Sequence, residues 1–428
     1  MRKFILTAFA AIFAAPIWGQ IVKEELKNDI DKAGSNYYAY PGPSRKLTPA
    51  PKGKKPFYIS HYGRHGSRYL IHHREYDYPY ATFQAADRIG KLSEKGKEVF
   101  RHVAMLREEA NNRLGELTQL GALQHQGIAQ RMYERFPEVF KGDVCVDAKS
   151  TVVIRCIISM DNALHELAAL NPKLKITSDA SEHDMYYMNL QDRNLYKQKW
   201  PQEATDVYNA YCKKHARHEQ PMLRLFNDPD YAWHSINLYR LNLSMFKLAS
   251  SVQGTELGKQ FSLFKDLYTD DEVYHNWLQA NAFWYIAYGP SPLNGGTQPF
   301  SQRNLLRKII EEADSCIALP RPGATLRFGH ETMVLPLTCL LELNGFDQKV
   351  TDLEKLEDCG WINYKVFPMA ANLQFIFYRK NPKDDDVLVK ILMNEDETTL
   401  PIPSDCAPYY HWKDFREFCI QRLATYQE

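Results

Sequence analysis

Residues 60–70 read Ser-His-Tyr-Gly-Arg-His-Gly-Ser-Arg-Tyr-Leu and hold two histidines, two arginines and two glycines directly after the apolar stretch Pro56–Ile59. Two distant segments carry the same residue types. Arg155 follows the alternating run Val144–Ala148, and His330-Glu331 follows Ala324–Phe328. Guanidinium is permanently charged and forks onto two oxygens, so converging arginines suit a dianion such as a phosphate. A histidine among them can act as nucleophile, and a carboxylate can supply a proton. The competing chemistry is a metal site built on His61 and His65, with His72 and His73 near. An i, i+4 histidine pair binds zinc well on a helix, and Gly63 and Gly66 oppose a helix here. His61 is therefore expected in the core or behind the site. Taken alone, the Arg-His-Gly turn is an ordinary polar loop. A site exists only if the three segments meet.

The elements that must bring them together can be read from periodicity. Phe57–Ser60 reads as a short buried strand and residues 143–150 as an alternating strand. Residues 92–114 and 117–140 have helical spacing, the second opened by Thr118 as an N-cap. A further helix runs over 152–170 and ends at Asn171-Pro172. Residues 324–330 form a strand followed by a helix from Glu331. Residues 365–380 and 385–395 read as two strands joined by a turn at 381–384, a hairpin at a sheet edge. Between about 183 and 310 the pattern is helical with few strand signals. The expected fold is α/β: a central mixed, mostly parallel sheet flanked by helices, with an inserted, mainly helical cap. Each cationic segment then sits at a strand's carboxyl end, where open α/β sheets bind ligands. Arg155 falls in a first helical turn, which favours an anion.

The 428 residues carry 53 Lys plus Arg against 52 Asp plus Glu. This balance speaks against a nucleic-acid partner and requires any electropositive site to be local. Residues 1–19 have a basic start (Arg2, Lys3) and an apolar run to Trp18, the pattern of a secretory leader cleaved after Gly19. An exported, periplasmic or secreted bacterial protein with no membrane anchor after cleavage is expected. The division is then 1–19 leader, 20–182 first part of the core, 183–310 cap, and 311–428 second part of the core. The eight cysteines have no CxxC spacing, which disfavours a zinc ribbon. Cys156 and Cys339 read as buried thiols, and Cys406 with Cys419 as a possible disulfide.

Four segments, in order, resemble the histidine acid phosphatases, branch 2 of the histidine phosphatase superfamily. Arg64–Arg68 is similar to the RHGxR signature, and Leu117–Gly127 to the LTxxGxxQ helix start. Lys149–Met160 is similar to RSTDVxRTxxSA, and Phe328–Thr332 to the GHDT segment. Residues 329–337, 367–379 and 391–402 further resemble the inositol-polyphosphate phosphatases and histidine-type phytases of that branch. The resemblance implies metal-free, cofactor-free hydrolysis of a small phosphomonoester in two steps. His65 would attack phosphorus. Arg64, Arg68, Arg155 and His330 would hold the phosphate oxygens, and Glu331 would donate the proton to the leaving group. Phytate-like substrates are expected, with a broad-specificity acid phosphatase as the alternative. A non-catalytic phosphosugar-binding protein would need neither His65 nor Glu331. The sequence leaves the oligomeric state open.

Departures from the family pattern are specific. Leu70 replaces a proline, Lys149 an arginine and Val152 an aspartate. His330-Glu331-Thr332 replaces the His-Ala-Glu of inositol-polyphosphate phosphatases, which moves the carboxylate one residue nearer the histidine. Arg193–Trp200 and Cys212–Gln220 are candidate contacts for outer phosphates, set against solvated helix faces. His72-His73-Arg74 could line the substrate mouth.

Overall fold

The structure is a computed structural model that describes residues 18–189 and 192–426. The expected leader lies outside these residues except at its last two positions, where a helix, Trp18–Asn28, runs across the expected cleavage point. No helix among the described residues is long and apolar enough to cross a membrane.

Eight strands form one mixed sheet: β1 (Lys55–Arg64), β2 (Cys145–Ser150), β3 (Lys175–Asp179), β4 (Gly323–Gly329), β5 (Asn372–Arg379), β6 (Leu388–Met393), β7 (Asp396–Glu397) and β8 (Tyr410–His411). Their order is β3-β2-β4-β1-β5-β6-β7, and β8 also pairs with β6. The first four in that order are mutually parallel; β5, β6 and the two short strands are antiparallel to their neighbours. β1 is longer than its apolar run suggests. It is central, paired with β4 on one side and β5 on the other, so its ladder continues through His61 to Arg64. β3 has no clear sequence signal, because four of its five residues are exposed.

The helices that matter to the site are α1 (Glu94–Glu109), α2 (Gln119–Arg135), α3 (Ile154–Leu170), α4 (Asp270–Tyr288), α5 (Arg303–Ile317), α6 (Glu331–Leu340) and α7 (Trp412–Ala424). Caps start three of them. The Ser93 hydroxyl accepts from Gly96 N–H before α1, Thr118 accepts from Gly121 N–H before α2, and Thr269 with Glu272 makes a capping box at α4.

Strand alternation divides the core. Ile376 of β5 faces a cluster with Met132 and Ala129 of α2 and Leu164 and Leu167 of α3. Phe375 and Phe377 face the other side, with Ile309 of α5, Leu335 of α6 and Phe415 of α7. The sheet is thus covered on both faces, as a parallel core requires. Residues 183–310 carry helices and no β-strand among the described positions, and α5 runs through residue 310. All eight cysteines are free thiols. The Cys406–Cys419 disulfide does not form: Cys419 is fully buried in α7, while Cys406 lies in the partly exposed loop before β8.

Candidate active site

Strand order assembles the site. β4 lies between β2 and β1, with Gly329 paired to Arg64 and Phe328 paired to Ser150. The residues that follow each strand therefore emerge side by side at one sheet edge. They are His65 after β1, Thr151 to Arg155 after β2, and His330-Glu331 after β4. Arg155 is in the first turn of α3, and Glu331 is the first residue of α6. Two helix N-termini, with their unpaired N–H groups and positive dipole ends, face the same place.

The loop after β1 is fixed from behind by α2. Gly66 packs against Gly121; a Cβ at Gly66 would stand 2.4 Å from the Gly121 carbonyl oxygen. Ser67 N–H donates to Gln124 Oε1 at 2.8 Å, Gln124 Nε2 donates to Ser67 Oγ at 2.9 Å, and Gly66 N–H donates to Ser159 Oγ of α3 at 3.2 Å. Leu70, in place of a proline, keeps an N–H that donates to the Tyr76 hydroxyl.

His65 is buried, and its Nδ1 lies 2.9 Å from the Gly66 carbonyl oxygen. A carbonyl only accepts, so Nδ1 carries the proton and the Nε2 lone pair is free. Nε2 has no hydrogen-bond partner among the protein groups and points toward Glu331, whose Oε2 is 3.8 Å away. The same Oε2 is 3.1 Å from Nε of Arg64. Arg64 is held by its NH1 donating to the Phe367 carbonyl, and Arg68 by its NH1 donating to its neighbour Tyr69 and by the Tyr37 ring at 5.3 Å. The Nε atoms of Arg64, Arg68 and Arg155 are buried and make no hydrogen bond, although that of Arg64 is ion-paired with Glu331. His330 Nε2 lies 3.3 Å from Thr151 Oγ1, and the His330 ring meets that of His65 at 5.7 Å.

Electrostatics follow from burial and charge. Burial, then Arg64, Arg155 and Arg68, hold His65 well below its usual value, so it is neutral. His330 is lowered to about 4, mainly by burial. Burial raises Glu331, but Arg64, Arg68 and His330 outweigh it and hold the carboxyl at about 2. Burial lowers Arg64 to about 10. Three guanidiniums against one carboxylate leave an excess of two positive charges, the charge of a phosphomonoester dianion. His65, His330 and Glu331 could also supply metal-ligating atoms, all within 4.8 Å of one another. The surrounding guanidiniums make that cluster hostile to a cation and favourable to an anion.

This geometry has a known family. The model of the histidine phosphatase superfamily (branch 2) matches residues 63–394. The chain belongs to branch 2 of the histidine phosphatase superfamily. As a histidine phosphatase of this branch it is a phosphomonoester hydrolase. Its fold is similar to that of a multiple inositol polyphosphate phosphatase from Bifidobacterium longum, solved in complex with inositol hexasulfate. The TM-score is 0.77 and the identity 18%, over 91% of this chain and 97% of that one. The phytase from D. castellii is also similar, at a TM-score of 0.70 and 14% identity over 92% of this chain and 85% of that one. No curated protein matches the chain in sequence.

All six residues singled out in the sequence of this histidine phosphatase, namely Arg64, His65, Arg68, Arg155, His330 and Glu331, converge. The other histidines do not. His61 is buried between Phe328 and His125 and lowered by burial to about 3, a core histidine. His72, His73 and Arg74 are exposed at the start of the helix Arg74–Arg88. Lys214 and His215 bind Glu354 at 2.8 and 3.0 Å. Lys149 pairs with Asp184 at 3.0 Å. Cys156 packs against His330, its thiol pushed up by burial to about 11. Sequence reasoning missed Tyr37 and the Phe367 carbonyl, because ordinary residue types at distant positions carry no local signal, and it gave Thr151, inside the Lys149–Met160 segment, no role.

Proposed function

We propose that the protein is an exported hydrolase of inositol polyphosphates that works through a phosphohistidine. The observation that carries this reading is the free Nε2 of His65, held neutral among three arginines and 3.8 Å from a carboxylate. Nε2 attacks phosphorus while the bond from phosphorus to the leaving alcohol oxygen breaks, and Glu331 gives that oxygen its proton. Water then attacks the phosphohistidine, Glu331 takes the water proton, and inorganic phosphate leaves. Arg64, Arg68, Arg155 and His330 bind the equatorial oxygens, where charge concentrates in the transition state. Residues 183–310 act as the cap over this site. The names of the solved relatives support the substrate class, and the leader-like N-terminus supports export.

The test is rapid-quench turnover of phosphorus-32-labelled substrate. An alkali-stable, acid-labile phosphoenzyme is expected in the wild type and absent in His65→Ala, which should not turn over. Wild-type activity in His65→Ala would overturn the mechanism. Phosphate release from phytate, sugar phosphates, nucleotides and p-nitrophenyl phosphate tests the substrate, and equal rates on all would favour a broad acid phosphatase.

A further inference from the structure

A second cluster of ligating side chains lies at the other end of the sheet. Asp405 and Cys406 stand in the loop before β8, and His411 ends that strand. One donor atom from each, a carboxylate oxygen, the thiol sulfur and an imidazole nitrogen, lie within 4.8 Å of one another. β1 fixes the place. Lys54, just ahead of that strand, binds Asp386 at 2.7 Å, and Asp386 contacts His411, whereas His65 follows the strand's far end. About 30 Å of strand separates the two clusters.

The histidine is set like a metal ligand. Its Nδ1 lies 2.7 Å from Asp386 Oδ1. A carboxylate only accepts, so Nδ1 carries a proton. Asp386 is itself held, because its other oxygen, Oδ2, accepts from the buried Lys54. A carboxylate behind the ring, fixing its orientation and tautomer, is the usual partner of a metal-bound imidazole. The front nitrogen, Nε2, lies 3.1 Å from Asp405 Oδ1. With a neutral imidazole these are two acceptors face to face, and something positive must stand between them. A second ring proton would serve that pair but offer nothing to the Cys406 sulfur, whose contacts are 3.5 Å to the Tyr409 carbonyl and 3.8 Å to the Ser404 hydroxyl. A metal ion would take all three. Tetrahedral zinc bonds of about 2.0–2.3 Å put neighbouring donors roughly 3.3–3.8 Å apart, close to the spacing of this cluster.

The surroundings suit a cation. The adjoining cleft, of about 600 Å³, is lined by Asp384, Asp385, Asp386 and Asp414 against one lysine, Lys413. Asp414 lies in the first turn of α7, where it offsets the positive end of that helix. The guanidiniums that bar a cation from His65, His330 and Glu331 lie at the opposite end of β1.

We propose that Asp405, Cys406 and His411 bind a divalent transition ion, with zinc the best match and water in the fourth position, and that the ion ties the loop before β8 to the start of α7. Thiolate and imidazole select zinc over calcium or magnesium. On binding, the Cys406 thiol gives its proton to solvent, a sulfur lone pair bonds the metal, and no electron is transferred. The inference is independent of the phosphatase reading and of the residues that carry it.

The probe is cobalt(II), whose tetrahedral thiolate complexes are coloured, titrated into the full chain after dialysis against EDTA and then chased with zinc. Wild type should bind one equivalent, with a sulfur-to-cobalt charge-transfer band that zinc abolishes. The band should vanish in Cys406→Ser and in His411→Ala. It should remain in Cys145→Ser, which removes an exposed thiol elsewhere. Asp386→Asn should keep the band and weaken affinity about 10–100-fold, the usual effect of losing the carboxylate behind a ligating histidine. Zinc should raise Tm in wild type and not in Cys406→Ser. Turnover of p-nitrophenyl phosphate certifies that each variant is folded. No band in wild type, or a band that survives in Cys406→Ser, would overturn the site and leave the role of His65 untouched.

Discussion

Arg64 and Glu331 are ion-paired in the free site, Nε to Oε2, at 3.1 Å. The carboxylate therefore occupies the guanidinium that an incoming phosphate oxygen must take. Binding a dianion displaces Glu331 from Arg64 and cancels the field that keeps it ionised. The group becomes able to hold a proton only once the substrate has arrived.

Glu331→Gln separates these two roles. Without the negative charge, the Ki for inorganic phosphate should fall about tenfold, because a like charge within ~4 Å of the anion is gone. Turnover of an alkyl phosphomonoester should drop about 10²–10⁴-fold. With p-nitrophenyl phosphate, whose leaving group needs no proton, the drop should be much smaller. Steady-state kinetics on the two substrates checks this, and equal losses would remove Glu331 as the proton donor.

The pH–rate profile should follow the substrate rather than a histidine. His65 is held well below its usual value and Glu331 at about 2, so neither changes state near neutrality in the free enzyme. A productive complex needs one proton on Glu331, and a phosphomonoester monoanion delivers it. Above the second phosphate pKa, about 6, kcat/KM should decline tenfold per pH unit. It should show no acid limb near pH 6.5. A limb at that value would mean that His65 titrates normally.

Stability should fall on the acid side. His61 is lowered to about 3, His125 to about 4 and His330 to about 4, all chiefly by burial. Unfolded, each titrates near its model value of 6.5. The unfolded chain therefore binds more protons between those limits, so the stability present above pH 6.5 is lost progressively toward pH 4. Thermal melts should show Tm falling over that window, and His125→Gln should make the fall shallower. A flat profile would contradict the burial of these rings.

Gly121→Ala tests the support of the loop. Its Cβ would stand 2.3 Å from the Ser67 carbonyl oxygen, backbone that cannot yield without moving His65 and Arg68. Overpacking of this kind costs about 1–3 kcal/mol, and kcat should fall with Tm. Gly127→Ala in the same helix meets only the tip of Arg131 and should be tolerated in both respects.

Dialysis against EDTA should leave kcat unchanged, whereas vanadate should inhibit. The reason is electrostatic: a cation at His65, His330 and Glu331 would sit among Arg64, Arg68 and Arg155. Loss of activity on chelation, restored by a divalent ion, would contradict the anion-cradle reading.

Much of this was legible in the chain. Regular period-two and helical patterns marked β1, β2, β4, α2, α3 and α6. The chemically loaded residues Arg64, His65, Arg155 and His330-Glu331 stood at their ends. What escaped was whatever depends on partners far away in sequence. The true length of β1 needed β4 and β5, and the exposed β3 needed β2. Lys199 lies in Arg193–Trp200, a segment the sequence offers either as a contact for outer phosphates or as a solvated helix face. Only the fold sets it against Tyr288, and only the pairing of Asp192 with Arg303 leaves it without an acid.

The middle position of β4 also has a meaning in time. β1 and β2 leave the ribosome long before residues 323–329, yet these strands are not neighbours; β4 must wedge between them before Arg64, Arg155 and His330 share one edge. A nascent chain lacking its last quarter carries the nucleophile but no assembled cradle. Catalysis is thus switched on by the completion of folding, and the appearance of phosphatase activity during refolding would clock the insertion of a single seven-residue strand.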